Sequence, residues 1–350
     1  MRDFLREDPP QPSLPINLPK YRFAVYGGLA VILGPVTLWF LRRLLPGQPI
    51  LLPLQDINPL PLLAATILLV ISWLIRILRM WYLFRHLARN IAYSDFIRTC
   101  LAGAFVSHIT PSAAGGYPFF LFLLHRQGVP ASKSLAVSLM DSVNTGLSLL
   151  LILAAGAALS PVFLSAASSW LPAAAAGTLF LIGPALALLI FANKLPAGAS
   201  KLFGKDSVLG RKTTPLTAKA AREVERFKSA AGTLWRDHRP VLAINLLFNL
   251  TYWAIYLSTT HLLFRAVGGR APWLVIAGSQ IAVQFAQYLI PTPGAAGGAE
   301  VTMALLVQNL LGHGQLVAFL ALWRIYTYYF SLFATSLTLP WAICLLRKDQ

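Results

Sequence analysis

The sequence predicts an all-α polytopic membrane protein. Three observations carry that prediction: apolar blocks of 20 residues or more, very few charges, and a basic excess gathered between the blocks. Of 350 residues, 57% are hydrophobic and 12% are charged. A soluble domain carries about 25% charged residues. About 20 apolar residues make a helix that crosses roughly 30 Å of hydrocarbon. The ten-residue alternating segments of a membrane barrel are not visible. The net charge of +17 reads as cationic loops against anionic lipid headgroups at the cytoplasmic face, not as a nucleic-acid surface.

Residues 1–22 are polar and proline-rich, without the apolar core or cleavage site of a signal peptide. They form an expected cytoplasmic segment before one transmembrane domain, 23–350. Full spans are expected at 23–45, 60–84, 134–159, 170–191, 241–264 and 316–346. Shorter apolar arms are expected at 96–109, 117–124, 272–290 and 301–311. The stretch 193–239 holds eleven Lys and Arg and is the expected cytoplasmic loop. Part of it, 216–235, has helical apolar spacing suited to the membrane interface. Counting crossings from this loop puts both termini in the cytoplasm, in the inner (plasma) membrane of a prokaryote.

Two segments 182 residues apart organise the chain. Residues 109–118 read ITPSAAGGYP and residues 291–300 read PTPGAAGGAE. They share Thr110/Thr292, Pro111/Pro293, Ala113/Ala295, Ala114/Ala296, Gly115/Gly297 and Gly116/Gly298. Each sits between two short arms, flanked by long spans. The expected units are a first repeat, 59–159, and a second, 241–346. One span between them makes the two units inverted, the plan of many transporters. Proline and paired glycine break a helix. A broken backbone inside a membrane is tolerated only against protein or a wet cavity. Each motif is therefore expected to be the tip of a re-entrant hairpin, giving about six full spans plus two opposed hairpins. The helix starts after the tips would offer N–H groups and positive dipole ends to an anion such as phosphate.

Ionisable residues inside apolar spans are costly and mark function or pairing. Arg76 and Arg79 lie in the second span, Asp141 in the long span 134–159 of the first repeat, Arg324 in the last, and Glu300 follows the second Gly-Gly. Adding 182 to Asp141 gives 323, so Asp141 and Arg324 are expected either as a buried pair or as two ends of one polar path. The expected substrate-binding set is Thr110, Pro111, Gly115, Gly116, Thr292, Pro293, Gly297, Gly298, Glu300, Arg324, Arg79 and Asp141. Cys100 and Cys344 have no disulfide or metal spacing. No catalytic motif appears, and no cofactor or metal is expected.

The residues from Ile109 to Gly116, the following Leu-Leu-His-Arg-Gln-Gly at 123–128, Pro-Thr-Pro-Gly-Ala-Ala-Gly-Gly-Ala-Glu at 291–300, and Arg324 resemble the lysylphosphatidylglycerol synthase transmembrane-region, or flippase-like, family. The resemblance covers roughly 20–346. It implies movement of a membrane lipid across the bilayer: a phospholipid, an aminoacylated phospholipid or a polyprenyl-linked lipid. In the leading reading of the residues, Arg324 and Arg79 are expected to neutralise a phosphate, and Glu300 and Asp141 to bind a cationic headgroup or a coupling proton. The soluble synthase domain of fused relatives is not expected here. Tyr117 departs from the acidic residue that many relatives carry after the first Gly-Gly, and its role passes to Asp141. An integral-membrane transferase on a lipid-linked sugar and a small-solute or ion transporter are the alternative readings.

Overall fold

The computed structural model describes residues 56–87, 91–167 and 239–347, together with 177, 179 and 183. The expected first span, most of the span at 170–191 and nearly all of the basic loop lie outside the described residues. Among the described residues there is no strand, and every named element is a helix.

Among the described residues, four helices are long and apolar enough to cross a membrane: Pro59–His86, Ala131–Leu159, Arg239–Ala266 and Gly314–Ser336. In chain order, α1 is Pro59–Leu87, α2 Tyr93–Ile109, α3 Gly116–Arg126, α4 Ala131–Leu159 and α5 Pro161–Ala167. Then come α6, Arg239–Ala266, α7, Trp273–Leu289, and α8, Gly298–Val307. The last segment comprises α9 (His313–Arg324), a π-helical turn at Ile325–Tyr329, α10 (Phe330–Ser336) and α11 (Leu339–Arg347). A long helix, two short ones and a long one thus occur in the same order on both sides of the middle of the chain.

The expected single span over 316–346 is interrupted, and its sequence gives the reason. Pro340 lacks an N–H and its ring crowds the carbonyl four residues back, so α10 stops at Ser336 and α11 restarts at Leu339. The π turn widens the helix just after Arg324.

The helix faces sort in the reverse of a soluble protein. On α1, Leu63, Ile67, Val70, Leu74 and Leu78 recur at helical spacing and all are exposed. That stripe suits hydrocarbon. The other face carries Ser72, Arg79 and Leu83, all buried. It packs along α6, the most extensive helix pair in the fold. Asn144 of α4 donates to Asn245 of α6 at 2.8 Å, and Asn245 donates to the Arg79 carbonyl at 3.4 Å. Asn249 and Thr145 face each other one turn on. Without water to compete, such amide bonds join apolar helices that lipid would solvate equally well.

The short helices pair with each other, α2 on α3 and α7 on α8. Their lengths, 17, 11, 17 and 10 residues, correspond to about 25, 16, 25 and 15 Å. Each falls short of the roughly 30 Å of hydrocarbon. In the first pair the backbones approach so closely at Gly116 that a Cβ there would run into the Ser107 side chain.

Candidate functional site

The two Thr-Pro motifs fold into the same turn. Ala113 N–H bonds the Thr110 carbonyl at 3.2 Å, and Ala295 N–H bonds the Thr292 carbonyl at 2.9 Å. Ala114 and Ala296 bond the carbonyls of Pro111 and Pro293 in the same way. The central left-handed residues match as well: Ser112 and Ala113 have φ of 51° and 55°, Gly294 and Ala295 have 59° and 54°. The turns part at the first glycine of each pair, where φ is −81° at Gly115 and 90° at Gly297. Non-glycine residues occupy that region only when the surroundings hold them there.

The turns touch each other. Pro111 and Pro293 form an isolated antiparallel bridge. Ser112 adds a hydroxyl bond to the Ile290 carbonyl at 3.3 Å. From the last segment, Tyr328 donates to the His108 carbonyl at 3.2 Å and stacks on the His108 ring.

The buried charges serve these turns. Arg324 contacts Glu300 at 2.8 Å, and both side chains are essentially without solvent exposure. Arg324 also donates to the Gly294 carbonyl at 2.7 Å, and its guanidinium lies 4.4 Å from the centre of the Tyr328 ring. Glu300 accepts from the Gly297 N–H at 2.9 Å. In the first turn Thr110 plays the holding part. Its hydroxyl donates to Val106 and accepts from Gly115 N–H at 3.1 Å. Thr292 donates to the Ala296 carbonyl at 2.8 Å. The N–H groups of Gly115 and Gly297, expected to be free for an anion, are therefore engaged within the protein.

Asp141 is not the partner of Arg324. It pairs with Arg79 at 3.1 Å, and both are buried. The 182-residue offset matches positions along the chain, but packing of α1 against α4 chooses the neighbour. In this pair Asp141 Oδ1 and the Nε and Nη1 of Arg79 are buried without a hydrogen-bond partner.

Arg79 and Asp141 line a cavity of about 740 Å³ including its mouth. Gly116 and Tyr117 at the start of α3 face it, with Ser107 and His108 of α2 and Thr335 of α10. The residue that composition and spacing did not single out as a ligand is Arg76. It lines the same cavity one turn before Arg79, the residue is exposed, and among the described residues it forms no ion pair. Its electrostatic neighbours include the phenols of Tyr117, Tyr252 and Tyr288. The helices of the described spans bring three interior arginines, Arg76, Arg79 and Arg324, to two interior carboxylates, Asp141 and Glu300. One cation is left over.

Of the expected set, the structure brings Thr110, Pro111, Gly115, Gly116, Thr292, Pro293, Gly297, Gly298, Glu300 and Arg324 together at the paired turns. Arg79 and Asp141 stand at the cavity beside the first turn. On α7, Gln280 is drawn into packing: it accepts from Trp323 at 2.6 Å and from Thr260 at 3.2 Å.

The chain is similar to known proteins. A 27% identical relative, described as a UPF0104 membrane protein of Archaeoglobus fulgidus, aligns over 300 residues, 82% of this chain and 88% of its own. The profile of the lysylphosphatidylglycerol synthase TM region matches residues 25–334. Nearly the whole chain, including both Thr-Pro turns and the buried Arg324–Glu300 pair, thus belongs to the family of the lysylphosphatidylglycerol synthase TM region.

Proposed function

We propose that the protein translocates a phosphate-bearing membrane lipid, and that Arg76 receives the phosphate. The single observation that carries this is Arg76, an arginine in an apolar span that lines the cavity beside the first turn and has no ion pair among the described residues. A cation there costs several kcal/mol unless it is wet or paired. A phosphate relieves that cost, and a planar guanidinium binds it with two parallel hydrogen bonds. Family membership supports a lipid-related role.

In this reading the two units are inverted repeats and their short helix pairs are re-entrant hairpins. The matched turn geometry and the Pro111–Pro293 bridge support it. Arg324 and Glu300 then act on the second tip and not on the lipid. The acyl tails remain in the bilayer beside the exposed apolar stripe of α1. Rocking of one unit against the other alternates access. We place the protein in a prokaryotic plasma membrane with both termini in the cytoplasm.

The test is lipid exposure in liposomes carrying the purified protein and a fluorescent phospholipid, using a reductant that attacks only the outer leaflet. Wild type exposes inner-leaflet lipid. Arg76→Gln does so at least about ten-fold more slowly, because a hydrogen-bonded charge contributes about 1.5–3 kcal/mol. Equal rates for the two proteins would overturn the assignment of Arg76.

A further inference from the structure

We infer that the contact between the two turns is a closed gate, and that Tyr328 is the clasp that keeps it shut. The inference rests on the transport reading above and names the seal between the two sides of the membrane.

The first argument is placement. The cavity lies on one side of the turns. It is lined by residues 73–80 from the C-terminal half of α1, by 100–108 of α2, by the start of α3, by Asp141 in the N-terminal half of α4 and by Thr335. No described residue of α6, α7, α8 or the second turn lines it. Along α2 the lining ends at Ser107 and His108, just before the first turn. The second turn lies against the first through the Pro111–Pro293 bridge and the Ser112 bond to Ile290. Parting the turns joins the cavity to the side filled by α7 and α8.

The second argument is the chemistry of Tyr328, a buried residue that touches both turns. The last carbonyls of a helix have no partner within it. At the end of α2 the His108 carbonyl is met by the Tyr328 hydroxyl at 3.2 Å, and the two rings stack with centres 5.7 Å apart. The same phenol ring covers Gly294, where a Cβ would collide with it. Arg324, one turn earlier, holds the Gly294 carbonyl. The clasp is thus anchored to the second turn and releases only the first. A gate needs a contact that is firm when dry and replaceable when wet. A neutral hydroxyl–carbonyl bond meets that need, because water exchanges for it at small net cost. A buried ion pair does not, because breaking it strands a charge. Tyr328 also sits in the π turn, a kind of helix defect that recurs at functional sites.

The experiment uses the cavity's own thiol. The chain has two cysteines, and Cys344→Ser leaves Cys100, which lines the cavity. A membrane-impermeant anionic methanethiosulfonate is added to spheroplasts or to inverted vesicles holding the full chain. With the clasp intact, Cys100 reacts at least about ten-fold faster from one face than from the other. Tyr328→Phe keeps the ring and removes the hydroxyl; it raises the slow rate about ten-fold and leaves the fast rate unchanged, which shows that the cavity is intact. Ser112→Gly, at a φ of 51° that glycine tolerates, removes the other bond between the turns and raises the slow rate too. Tyr329→Phe is the control: its phenol oxygen is buried without a hydrogen-bond partner, and its loss changes neither rate. The inference falls if wild type reacts equally fast from both faces, or from neither. It falls equally if Tyr328→Phe leaves the slow rate unchanged, or if Tyr329→Phe raises it as much. Because labelling needs no translocation, liposomes that move no lipid beside a working clasp sink only the transport reading. Lipid movement with no effect of Tyr328→Phe on labelling sinks only the clasp.

Discussion

The guanidinium of Arg324 and the carboxylate of Glu300 stand 2.8 Å apart with almost no solvent exposure, and each holds one backbone group of the same turn. Arg324 takes the Gly294 carbonyl and Glu300 takes the Gly297 N–H. A pair placed this way fastens the irregular backbone of the second turn to the last long segment. It leaves neither charge free for a ligand.

Removing one partner therefore strands the other. Glu300→Gln should destabilise the protein by about 3–5 kcal/mol, the usual cost of an uncompensated buried charge. The check is thermal unfolding in detergent, followed by tryptophan fluorescence. A double change, Glu300→Leu with Arg324→Met, should recover part of the loss because no bare charge remains. A double variant less stable than Glu300→Gln would show that the backbone bonds outweigh the charge.

The Arg79–Asp141 pair gives a different prediction, because Arg76 is also within electrostatic reach of Asp141. Arg79→Gln leaves Asp141 to Arg76, and the cavity loses its spare cation without Arg76 being touched. Inner-leaflet exposure of the fluorescent phospholipid in liposomes should slow about ten-fold. Adding Asp141→Asn restores the excess of one and should restore most of the rate. A double variant no faster than the single one would rule out charge counting as the cause.

The left-handed alanines make a third test. Ala113→Gly and Ala295→Gly remove a strain of roughly 1–2 kcal/mol while adding chain entropy to the unfolded state. The net change should lie within about 1 kcal/mol. Ala295→Val, a branched side chain at φ 54° in a buried turn, should cost more than about 2 kcal/mol. Unfolding midpoints of the three variants decide it.

Close approach of α2 and α3 supplies the fourth. Gly116→Ala puts a methyl group into the Ser107 side chain. It should cost about 1–3 kcal/mol, as overpacking does. Ser107→Gly in the same chain should recover most of that. No recovery would mean that the neighbouring Gly103 carbonyl, and not Ser107, sets the spacing.

Much of this was legible in the chain. Helix positions follow from apolar blocks because hydrocarbon demands them. Thr110-Pro111 and Thr292-Pro293 announce the turns because proline and glycine act locally. Partnership was not legible. Asp141 and Arg324 share a place in the two units, yet which helix lies beside α4 depends on packing that no offset encodes. In sequence Arg76 is one of two arginines in the second span, and nothing there separates it from Arg79. Only the pairing of Arg79 with Asp141 reveals that Arg76 is the cation left over. The wrongly expected free N–H groups of Gly115 and Gly297 have the same origin. Whether a turn's donors are spare depends on side chains such as Thr110 and Glu300, whose rotamers are set by their neighbours.

The bridge between Pro111 and Pro293 also has a consequence for how the molecule is made. The two prolines are 182 positions apart (293 − 111). At about 5–20 residues per second, roughly ten to forty seconds of translation separate them. For that interval the first turn has no counterpart, and its backbone must be sheltered by water, by the insertion machinery or by other membrane proteins. Birth of this protein thus includes a waiting period that ends only when its second Thr-Pro emerges.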